Sequence, residues 1–113
     1  MTKHIEQDAV KLELYGMLFT WDDEKERSNF RKHGIRFKVA ASVFIDSYLY
    51  IENNSVDEYT GEERFDAIGM IGLDRAIFVV YVDRITIDGD DILRIISARK
   101  ATKEERIRYV NGN

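Results

Sequence analysis

The periodicity of apolar residues changes from helical spacing to a period of two after residue 45, and that change constrains the fold more than any other feature. Residues 37–45 (FKVAASVFI) repeat their apolar positions at helical spacing, and the chain beyond them switches to a period of two. Four segments then have the pattern of strands, and they lie at residues 48–52, 63–71, 76–82 and 92–99. Consecutive strands with short connections pair antiparallel, so this half of the chain predicts an antiparallel meander.

The composition of these segments indicates which strand is central in the predicted meander and where the chain turns. The segment 76–82, AIFVVYV, is nearly all apolar, which is typical of a central strand covered on both faces. Asp88–Gly89 is a favourable hairpin turn between the last two strands. Residues 53–63 are polar and predict a loop.

Local signals place three helices around the sheet. The first is predicted near residues 23–33, because Thr20, Asp22 or Asp23 can cap its start and Gly34 follows a cationic last turn. A shorter helix is predicted at about 37–45, and a third at about 103–110. Thr102 and Glu105 have the spacing of a capping box for this third helix.

A short strand at 18–21 completes an α+β fold with two helices before the meander and one after it. We expect the helices to pack on one side of the sheet.

The length of 113 residues predicts one domain. We expect that domain to be residues 19–113, preceded by residues 1–18 as a short helix or a loosely attached extension. No apolar run reaches the ~20 residues that span a bilayer, and the start lacks a signal-peptide pattern. The chain has no cysteine, which excludes a disulfide framework and a thiolate metal site. We therefore expect a cytoplasmic protein without a membrane partner.

The net charge of −4 argues mildly against nucleic acid as a partner, but the charges are unevenly distributed. The acids are concentrated in residues 40–75, and the flanking segments 19–39 and 90–113 are net basic. Folding can bring the two basic segments together as a positive patch.

The first predicted helix carries a cationic stripe. Lys25, Asn29, Lys32 and Arg36 follow one another at spacings that put them on or near one face. This stripe is either a solvated outer face or a ridge that contacts phosphates. His33 lies beside it, and its imidazole either hydrogen-bonds the last helix carbonyls or transfers a proton. Because no His and carboxylate cluster has ligand spacing, we expect neither a metal nor a cofactor.

A second set of cations lies at the end of the last strand, in RIISARKATKEERIRY (residues 94–109). Strand alternation predicts that Leu93, Ile95, Ser97 and Arg99 share one face, with Arg94 on the other. Arg99 is either a surface cation paired with an acid or a phosphate ligand.

Two further positions belong with this set. Arg64 begins the strand 63–71, and it would form with Arg99 a guanidinium pair suited to phosphate. Arg106 and Tyr109 are neighbours on the last helix. Tyr109 either packs, stacks on a base or hydrogen-bonds a phosphate.

Four stretches of the chain resemble the BrnT family of bacterial toxins. They are WDDEKERSNFRKHGIRFKVAASVF, GEERFDAIGM, FVVY and RIISARKATKEERIRY, and together they run from about Phe19 to Tyr109. The most specific patterns are W-D-x-x-K-x-x-x-N-x-x-K-H-G and R-I-I-S-A-R-x-A-x-x-x-E-R-x-x-Y.

The resemblance implies a RelE-like ribonuclease toxin of a type II toxin–antitoxin system, which cleaves RNA without a metal. It also implies a BrnA-type antitoxin as partner and contact with operator DNA only through that antitoxin. Carried over by motif, the implied catalytic positions are His33, Arg64, Arg99 and Tyr109. We hypothesise that Arg64 and Arg99 bind the scissile phosphate, while His33 or Tyr109 assists proton transfer. The implied RNA-binding residues are Lys25, Asn29, Lys32, Ser97 and Arg106.

Physical reasoning agrees with a metal-free reaction of this kind. The RNA 2′-OH serves as internal nucleophile, so the protein need only move protons and stabilise a dianionic phosphorane with fixed cations. The alternative is a non-enzymatic α+β module that binds a protein through its basic segments. Direct DNA binding by this chain is disfavoured, because no helix-turn-helix or basic arm is evident.

Overall fold

A mostly antiparallel sheet organises the chain in the computed structural model, which describes residues 3–112. Within that range the strands are β1 (His4–Ile5), β2 (Leu12–Leu14), β3 (Met17–Thr20), β4 (Tyr50–Val56), β5 (Glu63–Ile71), β6 (Arg75–Ile85) and β7 (Asp91–Lys100). The helices are α1 (Asp23–His33), α2 (Phe37–Ala40), a 3-10 helix (Ala41–Ile45) and α3 (Lys103–Asn111).

The predicted meander is confirmed. The sheet order is β2-β3-β7-β6-β5-β4. From β4 to β7, each strand pairs antiparallel with the strand that follows it in the sequence. β6 lies inside this meander as predicted, between β5 and β7. The fold also contains two parallel pairings, of β3 with β7 and of β1 with β6, and no local signal had indicated them.

The N-terminal segment is part of the sheet, so the short helix expected within residues 1–18 is wrong for the described residues. β1 pairs with the end of β6, and β2 forms a hairpin with β3. Glu6 is buried and accepts hydrogen bonds from Arg84 (3.2 Å) and Arg94 (2.9 Å). Whether residues 19–113 fold without this segment stays a prediction.

The caps of α1 and α3 form as their sequences predict. The Asp22 side chain accepts from the backbone N–H of Lys25, and Gly34 ends α1 with φ of 70°. At α3, Thr102 and Glu105 form a complete capping box. The helix predicted at 37–45 instead changes to 3-10 geometry after Ala40, where the Ser42 hydroxyl donates to the Val39 carbonyl at 2.6 Å. Such local side-chain bonds compete with the α-helical pattern.

The helices lie on both faces of the sheet, so the expectation of one-sided packing is wrong. On one face the α2 and 3-10 region packs on strand residues such as Val79, Ile95 and Ala98. On the opposite face α3 contributes Tyr109, which packs against Ile68 and Phe78. Just after β7, Ala101 donates its N–H to the Ala76 carbonyl (2.9 Å). The chain therefore turns toward the face of the sheet that carries Phe78, and α3 covers that face.

A β-bulge at Ile96 changes which face the end of β7 presents. Val80 pairs with Ser97 but Tyr81 pairs with Ile95, so Ile96 is an extra residue in the strand. Leu93 and Ile95 pack in the core under α2, while Ser97 and Arg99 lie on the α3 face. The predicted common face for these four residues is therefore wrong, because strict alternation fails at a bulge. Arg94, opposite Val82, falls on the same face as Ser97 and Arg99.

No helix within residues 3–112 is long and apolar enough to cross a bilayer.

Candidate functional site

Five of the nine predicted site residues line one groove, which we call the edge groove. It lies between α1 and the edge of β7 and has a volume of about 230 Å³. Its lining residues are Lys25, Ser28, Asn29, Lys32, His33, Ile96 and Ser97. The cationic stripe of α1 therefore faces the strand that carries Arg99.

Asn29 fixes α1 against the edge of β7. Its Nδ2 donates to the Ala98 carbonyl at 2.7 Å, and its Oδ1 accepts from the Ala98 N–H at 3.1 Å. β3 pairs with β7 only at Leu93 and Arg94, so this amide takes the place of a neighbouring strand further along. Asn29 is buried, with 7% of its surface exposed, and this favours a positioning role over the predicted contact with RNA.

Lys25, Lys32 and His33, the other predicted site residues of α1 in the edge groove, are exposed. Within residues 3–112, none of Lys25, Lys32 and His33 forms an ion pair. Their side chains are therefore available to an anionic ligand. His33 ends α1 next to Gly34, so its imidazole lies at the mouth of the groove beside Lys32.

Arg99 lies on the α3 face and is held from two directions. Its Nη1 and Nη2 donate to Glu105 Oε1 (2.7 Å) and Oε2 (2.8 Å), and its guanidinium lies 4.2 Å from the centroid of the Phe78 ring. The structure thus shows the predicted pairing with an acid. That acid is a buried residue of α3, and about a third of the Arg99 side chain stays exposed.

Arg106 and Tyr109, the predicted site residues of α3, have different surroundings. Arg106 is exposed and donates to the Ala101 carbonyl at 3.1 Å. Tyr109 is partly buried, and its hydroxyl donates to Asp46 Oδ2 at 2.6 Å. Burial and this hydrogen bond raise the pKa of Tyr109 to about 12. Both properties favour an anchor between α3 and the 3-10 helix over a proton carrier.

Arg64 is on the α3 face but not next to Arg99. The register puts Arg99 opposite Phe78 on β6, whereas Arg64 precedes Phe65, the partner of Tyr81. Strand geometry then gives about 16 Å between the two Cα atoms. The two arginines start from opposite sides of β6, so a shared ligand would have to lie between them.

Two acids on this face were not predicted as site residues. Glu105 was recognised only as a capping residue, since no local pattern links it to Arg99 across the strand–helix corner. Asp66 is buried and accepts from Asn54 Nδ2 at 2.7 Å. Burial raises the pKa of Asp66, and the neighbouring carboxylates of Glu52 and Glu105 act in the same direction.

Arg94, the first cation of the C-terminal tract, is already neutralised. Its Nη1 donates to Glu6 Oε2 and to Asp8 Oδ2 (2.8 Å), and both acids come from the N-terminal segment. Arg94 therefore adds little to the positive charge around the edge groove and Arg99.

Comparisons with known proteins bear on the family and the fold of the chain. A family model described as the ribonuclease toxin BrnT of type II toxin–antitoxin systems matches residues 21–105. The crystal structure of the Brucella abortus ribonuclease toxin BrnT has 24% sequence identity and a TM-score of 0.53 with this chain. The match covers 75% of this chain and 96% of that chain. No curated protein sequence matches the chain.

These findings define the class of protein as a ribonuclease toxin of a type II toxin–antitoxin system. The chain belongs to the BrnT family. The structural likeness supports the α+β fold independently of the sequence match. The first 20 residues, which include β1, β2 and β3, precede the part that the family model matches.

Proposed function

We propose that this chain cleaves RNA without a metal, by attack of a ribose 2′-OH on the adjacent phosphodiester. The observation that carries the proposal is the edge groove, where Lys25, Lys32 and His33 are exposed and form no ion pair within residues 3–112. The groove borders the strand that carries Arg99. Fixed cations supply there the positive charge that a metal would otherwise bring to a dianionic phosphorane.

The roles divide between holding the RNA and acting at the scissile bond. Lys25, Lys32 and Arg106 are exposed cations that bind the phosphate backbone, and Ser97 offers a hydroxyl on the groove wall. Arg99 stabilises the phosphorane, for which one such donor contributes about 3 kcal/mol to the rate. Arg64 would reach the same phosphate from β5, on the other side of β6.

His33 is our candidate for proton transfer. Imidazole is suited to take and give a proton near neutral pH, and this one is exposed in the groove. Tyr109, the other candidate from sequence, commits its hydroxyl to Asp46. In this proposal Tyr109 anchors α3.

The cleavage assay uses the purified protein and an RNA oligonucleotide in the presence of EDTA. We expect cleavage that leaves a 2′,3′-cyclic phosphate, and no cleavage of the fully 2′-O-methylated oligonucleotide. Arg99→Ala and Arg64→Ala should each lower kcat/KM about 100-fold or more. Lys38→Ala, which removes an exposed cation outside the groove, serves as the control and should be fully active. Full activity of both arginine variants, or complete loss of activity in EDTA, would contradict the proposal.

The same assay separates the two candidate proton carriers. His33→Gln should lower kcat, because the amide of glutamine cannot accept and return a proton as an imidazole can. Tyr109→Phe should keep cleavage within a few-fold of wild type at a temperature where it is folded. If Tyr109→Phe is inactive and His33→Gln is active, Tyr109 rather than His33 would be the group that transfers the proton.

We also propose neutralisation in the cytoplasm by a cognate BrnA-type antitoxin, through which alone the complex would contact operator DNA. Family membership supports an antitoxin partner, and the exposed cations of the edge groove are a surface that such a partner would cover. Expression of the chain alone should arrest growth. Co-expression with the neighbouring gene product should restore growth and yield a co-purifying complex. If cells that express the unmutated protein grow normally, that result would instead favour the alternative function, a non-enzymatic module that binds a protein.

A further inference from the structure

The guanidinium of Arg99 has two usable hydrogen-bonding edges, and only one of them is occupied. The end-on edge, formed by Nη1 and Nη2, donates both of its N–H groups to Glu105. Nη1 also lies 3.3 Å from the Lys100 carbonyl. Among residues 3–112, nothing accepts from Nε–H or from the outer N–H of Nη2. These two N–H groups point the same way and form a second fork, whose spacing suits two oxygens of a phosphate.

Glu105 is itself rigidly held, so the open fork has a fixed direction. Its side chain is 9% exposed, and its Oε1 also accepts from the Thr102 N–H at 2.8 Å. In return, the Glu105 N–H donates to the Thr102 hydroxyl at 3.2 Å. Burial opposes ionisation, but the hydrogen bonds from Arg99 and Thr102 outweigh it and lower the pKa of Glu105. The carboxylate is therefore charged at neutral pH, at the first turn of α3.

The ring of Phe78 fixes the remaining freedom of Arg99. The guanidinium carbon lies 4.2 Å from the ring centroid, so rotation about the axis of the side chain would break this contact. Glu105 thus constrains the end-on edge of the Arg99 guanidinium, and Phe78 constrains its flat face. An arginine without these contacts would sample many rotamers and would lose side-chain entropy on binding a phosphate.

We propose that Glu105 is a positioning residue of the ribonuclease site. It holds Arg99 by the end-on edge and thereby presents the Nε/Nη2 fork to the scissile phosphate. This inference rests on the proposed role of Arg99. A small displacement of a catalytic group can slow the reaction by about 100-fold, so loss of the Glu105 carboxylate should lower kcat/KM by about 10- to 100-fold.

Glu105→Gln tests the carboxylate without removing the helix cap. Glutamine also serves at this position of a capping box, so α3 should keep its N-terminus while Arg99 loses its charged partner. Thr102→Ala is the matched control, since it removes the hydroxyl of the cap and leaves both Glu105–Arg99 hydrogen bonds. Cleavage of an RNA oligonucleotide and binding of its fully 2′-O-methylated form are measured for each variant, with circular dichroism to verify folding.

We expect Glu105→Gln to lose activity while Thr102→Ala remains within about threefold of wild type. The decisive comparison repeats Glu105→Gln in an Arg99→Ala background. Positioning through Arg99 predicts almost no additional loss there, in either cleavage or binding of the 2′-O-methylated oligonucleotide. A merely structural role predicts the same further loss in both backgrounds.

The possible results separate this inference from the proposed function. If Arg99→Ala is fully active, the proposed role of Arg99 fails and this inference fails with it. If Arg99→Ala is inactive and Glu105→Gln matches wild type, only the positioning role is overturned. Equal losses for Glu105→Gln and Thr102→Ala, or additive losses with Arg99→Ala, would likewise overturn it.

Discussion

Asp66 shows how a single buried carboxyl links stability to pH in this protein. Burial raises the pKa of Asp66, with the hydrogen bond from Asn54 acting against it. A carboxyl with a raised pKa favours the folded state when protonated, and this contribution is lost as the pH rises through the folded pKa. Ionised Asp66 therefore weakens the fold at neutral pH.

We predict that Asp66→Asn is more stable than wild type at pH 7, because the amide can still accept from Asn54 without carrying a charge. The advantage should shrink as the pH is lowered toward 3.8, the ordinary value of the group. Urea denaturation at several pH values measures it. Asp74→Asn, on the exposed β5–β6 turn, is the control and should follow wild type. A stability difference independent of pH would contradict the prediction.

Several residues that line the edge groove were predictable from sequence at this scale, but the partners of the candidate site residues were not. The spacing of Lys25, Lys32 and His33 follows from the helical period, and the structure brings them into one groove. The contact between Arg99 and Glu105 depends on where α3 begins relative to the end of β7, and no periodic rule describes that corner. The same spacing placed Asn29 with the exposed lysines, although its amide is buried against Ala98.

At the scale of elements, α1 is attached to the sheet through one side chain. Asn29 satisfies both the N–H and the carbonyl of Ala98, which would otherwise be unpaired at the edge of β7. A buried polar group that loses its partner costs about 1–3 kcal/mol. The edge groove thus depends on Asn29 for its width.

We predict that Asn29→Ala lowers the free energy of unfolding by about 2–4 kcal/mol, because it leaves the two backbone groups of Ala98 without their partner. Lys32→Ala, one turn away and exposed, should change stability by less than about 0.5 kcal/mol while weakening RNA binding. Urea denaturation and binding of a 2′-O-methylated oligonucleotide give the two readouts. Equal stability of the two variants would refute the structural role of Asn29.

The bounds of helices whose ends are marked by capping residues were predicted closely. Features that depend on tertiary packing were not. α1 matches its predicted bounds because Asp22 and Gly34 mark its ends, and α3 begins after Thr102 as predicted. The bulge at Ile96 has no signal in a strand of alternating pattern, so it reversed the predicted face of Ser97 and Arg99. That reversal puts both residues on the side that α3 covers.

Across the whole molecule, the N-terminal segment closes the end of the sheet through charge. Glu6 is almost completely buried, with 5% of its surface exposed, and it joins Arg84 on β6 to Arg94 on β7. Arg84 also pairs with Glu62 and Arg94 with Asp8, so these five charged residues form a continuous network. Removing one charge from a buried pair is strongly destabilising because the partner is left uncompensated.

We predict that Glu6→Ala lowers the free energy of unfolding by about 1–3 kcal/mol, the effect being limited because Arg84 keeps Glu62 and Arg94 keeps Asp8. The destabilisation should decrease in 1 M salt, which screens the network. Glu13→Ala, exposed on β2, is the control for loss of an acid from the same segment. If Glu6→Ala and Glu13→Ala unfold at the same urea concentration, the segment does not depend on this network.

The antiparallel half of the molecule was predictable because its strands are neighbours in sequence. The parallel pairings of β1 with β6 and of β3 with β7 join segments far apart in the chain, and each paired stretch is only two residues long. Hydrophobic patterning in so short a strand cannot select a partner. For this reason residues 1–18 resembled an extension, although part of that segment belongs to the sheet.

The bond between Asn29 and Ala98 also gives the edge groove an order of synthesis. The two residues are separated by 69 positions, so the wall formed by α1 is synthesised well before the wall formed by β7. At about 5–20 residues per second, the ribosome takes several seconds to complete the second wall. The nascent chain therefore carries its lysines and His33 without the strand that completes the groove. The edge groove is complete only after β7 has been synthesised and has left the ribosome.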